Sequence, residues 1–115
     1  MRPSASSVET LKRMYLVHAH LELPAGAHLP PGVRGLVRSA IVDGDRVEHV
    51  AVHPRSASRL TLGFYLLADG LEEAEERAVR VCGRLVGAVP QLAAARLTGA
   101  EVPLVPLAFE AHPVD

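Results

Sequence analysis

The sequence predicts an α+β domain: an open-faced sandwich in which one main helix lies across one face of a mostly antiparallel sheet of four or five strands. Three observations carry this. Met14 to Leu23 (MYLVHAHLEL) alternates with period two, Arg59 to Ala68 (RLTLGFYLLA) is a rich apolar strand, and Leu71 to Val89 repeats its apolar residues at helical spacing. At 115 residues, the chain is large enough to bury a core without metal or disulfide staples. Residues 1–13 read as a flexible N-terminal tail, 14–110 as the single domain and 111–115 as a C-terminal tail.

Along the first strand, Tyr15, Val17, Ala19, Leu21 and Leu23 share the face expected to meet the core, and Met14, Leu16, His18, His20 and Glu22 share the other. Three prolines and three glycines between Pro24 and Gly35 forbid regular structure there. Leu36 to Val42 and Arg46 to His53 flank Asp43-Gly44, which reads as a hairpin with a two-residue type I′ turn. In the fourth strand Leu60, Leu62, Phe64 and Leu66 face one way, and Thr61, Gly63, Tyr65 and Leu67 the other.

Helix signals are the strongest in the chain. Asp69 stands as N-cap with Glu72 three residues on, and Leu71, Ala74, Ala78, Cys82, Leu85 and Val89 form one apolar stripe. Glu73–Arg77 and Glu76–Arg80 are i,i+4 pairs on the wet side, and Val89-Pro90 ends the helix. Residues 92–97 suit a short helix or a strand. A strand from Leu92 to Leu104 is preferred because the helix needs a following element to close the sheet, and Pro103 and Pro106 confine it to an edge. The resulting order is β-ββ-β-α-β, similar to a ferredoxin-like plait whose first helix is replaced by the Pro/Gly loop.

Composition narrows function mainly by exclusion. Net charge is −1 and aromatics make up 3% of the chain, so the basic, aromatic-studded face of a nucleic-acid groove is missing. A single Lys, a single Ile and no Asn point to a GC-rich genome, which weakens any argument from arginine content. No apolar run spans a bilayer, no signal peptide is visible, and the lone Cys82 forbids an internal disulfide, which together imply a cytoplasmic protein. P-loop, dinucleotide and G-x-S-x-G signatures are absent, so no residue is assigned as catalytic.

Six histidines invite a site. His18 and His20 point to one side of a strand, and with His49 could bind zinc or iron through an open site; otherwise no cofactor is expected. The two-residue turn would pair Arg38 with His49 and Arg34 with His53, giving a cationic patch of Arg34, Arg38, His49 and His53 for a carboxylate or phosphate. The plainer reading is a solvated face balanced by Glu22 and Glu48. Gly83 and Gly87, four apart on the helix, suggest close approach of another helix. One helix can cover only one sheet face, so the sequence predicts a homodimer or a protein partner on the exposed face. The expected function is a small non-enzymatic accessory or interaction module. The alternative is a small-ligand or metal-binding protein using the His/Arg-lined face.

Overall fold

The computed structural model describes residues 13–103. The element order is β1 (Arg13–Glu22), α1 (Val33–Ala40), a 3-10 turn (Asp43–Asp45), β2 (Val47–Pro54), β3 (Arg59–Ala68), α2 (Leu71–Ala88), a 3-10 turn (Pro90–Leu92) and β4 (Arg96–Glu101). The four strands form one antiparallel sheet in the order β2-β3-β1-β4. The expected tails, residues 104–110 of the expected domain and the far end of the expected last strand lie outside the described residues. Arg13, placed in the tail from sequence, opens β1.

Alternation in β1 and β3 does what the sequence expected of it. Val17, Ala19 and Leu21 are buried with Leu60, Leu62, Phe64, Leu66 and Ala68, joined by Val50 and Val52 of β2. Against them pack Ala74, Ala78, Val81, Cys82 and Leu85 of α2 and Val33 and Val37 of α1, so both helices serve a single core. With only two Phe and no Trp, that core is filled by branched aliphatics. The register runs unbroken from Arg13↔Ala68 to Glu22↔Arg59, which makes β1–β3 the spine of the sheet.

Three expectations are corrected. Of the strand expected over 36–42, residues 36–40 belong instead to helix α1, and 41 and 42 link it to the 3-10 turn. Val33, Leu36, Val37 and Ala40 recur at helical spacing, and Val33 and Val37 are buried; the Pro30-Pro31-Gly32 turn, with Gly32 at φ 75, launches the helix. The order is therefore β-α-β-β-α-β, with two helices.

Asp43-Gly44 is not a hairpin but part of the 3-10 turn leading from α1 into β2. Asp45 decides this. The residue is 7% exposed, and its carboxylate accepts the Val42 N–H at 2.9 Å and accepts from Arg84 of α2 through Nε at 2.8 Å and through Nη2. Arg84 Nη2 also donates to the Ala40 carbonyl at 2.7 Å, closing the end of α1. A buried carboxylate needs such partners.

At the start of α2 the N-cap is Gly70, without a side-chain cap. Glu73, not Glu72, reaches back, accepting the Asp69 N–H at 2.8 Å while pairing with Arg77 at 2.6 Å. After α2, Leu92 turns into the core and β4 follows, so the ambiguous 92–97 segment divides between a 3-10 turn and an edge strand.

Removing the Asp45 carboxylate leaves Arg84, the Val42 N–H and the turn unsupported together. Asp45→Ala is expected to lower stability by about 2–3 kcal/mol in urea unfolding, discounted because Arg84 remains partly wet. Gly83 and Gly87 face open space, with nothing within 4 Å of an added Cβ. Gly83→Ala should therefore raise stability by about 0.5–1 kcal/mol. A fall would reveal a partner against that helix.

Candidate functional site: the uncovered face of the sheet

Among the described residues both helices lie on one side, and no element covers the other side of the sheet, which forms a broad surface. Its rows follow from the registers. Met14 lies beside Leu67; Leu16 beside Tyr65 and then His49; His18 beside Gly63 and Ala51, with Glu101 on its other flank; His20 beside Thr61 and His53; and Glu22 beside Arg59 and Arg96. One end is apolar and the other polar.

At the apolar end Met14 and Leu67 are exposed, at 47% and 39%, and Leu16 and Tyr65 are half-buried. His49 packs its ring on Tyr65 with centroids 5.5 Å apart. Gly63 creates a shallow dip in the middle. A Cβ there would sit 3.3 Å from Leu16 Cδ1 and 3.6 Å from both Ala51 and His18, so those side chains lean over the gap.

The polar end is wired together. His20 Nε2 lies 2.8 Å from Glu101 Oε2, and Nδ1 lies 3.0 Å from Thr61 Oγ1. Because a carboxylate only accepts, Nε2 carries the proton facing Glu101, and in the corresponding tautomer Nδ1 is free to accept the Thr61 hydroxyl. Arg55 Nε donates to the same Thr61 oxygen at 3.2 Å. The β4 bulge lies at this point: the register steps between His20 and Leu21, and the Thr98 hydroxyl donates to the His20 carbonyl at 3.2 Å. A depression of about 400 Å³ opens beside the chain, walled by His20, Glu22, Arg55, Arg59, Thr61 and Thr98.

This chain resembles a hydroxyl–imidazole–carboxylate relay, but Thr61 is 2% exposed and cannot reach a substrate. Its chemistry is to fix the imidazole and tie β1, β3 and β4 together.

The expected site residues divide. His49 and His53 do share the open face, whereas Arg34 and Arg38 ride on α1, so the four do not form a patch. The hairpin register that joined them does not exist: His49 pairs with Tyr65 and His53 with Thr61. Arg34 Nε donates to the Val52 carbonyl at 3.2 Å instead. The expected metal trio is also dispersed. His18 and His20 have ring centroids 6.4 Å apart, with His49 two strands away on Tyr65, and among the described residues no group of three or more His, Cys, Asp or Glu could hold a metal ion. Cys82 is core filler, its thiol pushed up to about 12 by burial. Thr61, Arg55 and Glu101 were not singled out from sequence. Only the β1–β3 and β1–β4 registers bring them to His20.

Burial holds the pKa of His18 below its ordinary value. His20, His53 and Arg55 push the same way, and Glu101 opposes them. As pH falls, the unfolded chain takes up this proton first. His18 therefore contributes full stability above its unfolded pKa and loses it as pH drops through about 6.5 towards the lower folded value. His18→Gln should flatten the decline in Tm between about pH 7 and pH 5 relative to the native chain. An unchanged slope would contradict this.

Among the described residues no helix is long and apolar enough to cross a membrane. Comparison with known proteins gives no match: no family model, no curated protein and no solved structure is similar enough to assign a relative.

Proposed function

We propose that the protein is a small accessory module that works through the uncovered sheet face, and that the first occupant of this face is a second copy of the chain. The observation that carries this is the placement of both helices on one side, which leaves Met14, Leu16, Tyr65 and Leu67 together on the other. The face extends about 30 Å along β1 and β3 and about 15–20 Å across, a flat footprint of about 450–600 Å² that the relief of the side chains raises towards the roughly 800 Å² each partner gives a stable interface.

Self-complementarity supports the same reading. A twofold axis along the strands sets the apolar end on the apolar end and lays the β4 half of one copy over the β2 half of the other. Glu101 and Glu22 then meet the side carrying His53 and Arg55. His20, Thr61 and Glu101 already satisfy one another, which lowers the penalty for covering them.

The sheet order β2-β3-β1-β4 with two helices supports reading the domain as a variant of a ferredoxin-like plait, with one bare face to offer. The lone, buried thiol of Cys82 suits a reducing compartment, and we read the cytoplasm as its place of action.

Light scattering at micromolar concentration should give twice the 12.3 kDa chain mass. Leu16→Glu should return a folded monomer. Val79→Glu, at an exposed site on α2, should leave the mass unchanged. A native chain that is monomeric, or a Leu16→Glu variant that still pairs, would overturn the reading.

A further inference from the structure

On the helix side, four arginines from two distant parts of the chain line one groove. Arg77, Arg80 and Arg84 follow one another on a face of α2, and Arg46, just after the Asp43–Asp45 turn, comes up beside them. With Val42, Gly44, Asp45 and Val81 they enclose about 570 Å³. We propose that this groove binds a small phosphate ester, with its phosphate between Arg46 and Arg80 and its apolar part against Val42 and Val81.

The four guanidiniums are not equivalent. Arg84 is held by Asp45 and the Ala40 carbonyl, and Arg77 by Glu73 and the Leu67 carbonyl. These two are structural, and they carry the two carboxylates that neutralise them. Arg46 and Arg80 are exposed and, among the described residues, make no ion pair or side-chain hydrogen bond. Two fixed cations thus stand behind two free ones, which leaves the groove a net positive charge and two open forks for phosphate oxygens.

A second observation points the same way. Arg46 is the one non-glycine residue at positive φ among the described residues, at 59°. Glycine adopts that backbone freely, and a long side chain there is strained. The turn itself needs only the Arg46 N–H, donated to the Asp43 carbonyl at 3.0 Å. The side chain is dispensable to the fold yet is presented at a strained position on the rim of the groove. Val42, 49% exposed beside the arginines, supplies the apolar wall that a purely inorganic anion would not use.

Neither free arginine holds the fold, so both can be changed safely. Isothermal titration with AMP and with inorganic phosphate, at constant ionic strength, measures the site. Saturable AMP binding tighter than inorganic phosphate is expected. Arg80→Gln and Arg46→Gly should each weaken AMP by about tenfold, as losing one charged hydrogen-bonding fork does. Arg38→Gln, on α1, should change nothing. Arg46→Gly relieves the strained backbone, so its Tm should stay level or rise while affinity falls, a split that loss of fold could not produce. Undetectable binding of both probes, inorganic phosphate binding as tightly as AMP, or equal AMP affinity in Arg46→Gly and the native chain would overturn the proposal.

Discussion

A single carboxylate fixes how the two halves of the chain meet. Asp45 is out of water and accepts hydrogen bonds from the Val42 N–H and from two nitrogens of Arg84. The same guanidinium closes the end of α1 at the Ala40 carbonyl. This grip decides where α1 stops, where β2 begins and how β2 meets β3. The β2 register in turn decides that His49 and His53 face away from the helices. An unpaired charge at this depth is too expensive to tolerate, so the turn has one solution.

That interaction also marks where sequence reading succeeds and where it fails. Strands β1 and β3 were legible because alternation over ten residues has one interpretation once a buried face exists. Helix α2 was legible because its stripe is long. Helix α1 has eight residues, too few for its period to stand out from an alternating run, and its start is hidden behind two prolines and a glycine. Asp43-Gly44 carries a hairpin signal that depends on the flanking runs pairing. Here a tertiary partner, Arg84, lies 39 residues away and captures Asp45 instead. No local rule reaches that far.

The candidate site shows the same limit from the other side. The sequence placed His18 and His20 on the outward face of their strand, which is where they are. It could not place Thr61, Glu101 or Arg55 beside His20, because these neighbours are set by long-range strand pairings, β1 with β3 and β1 with β4, the latter broken by a bulge. The cationic patch of Arg34, Arg38, His49 and His53 failed for a single reason: it needed a hairpin that α1 replaces. Of the arginine groove, the sequence shows only Arg77 and Arg80 as i,i+4 partners of Glu73 and Glu76; the turn that carries Arg46 up to α2 completes it.

Strand β2 is one of the two borders of the sheet, where an uncovered ladder would invite further strands to add on. Arg34 occupies the Val52 carbonyl there, and Pro54 removes a donor at the end of the strand. Addition of a further strand along β2 is thereby discouraged, which leaves β4 as the more open of the two borders.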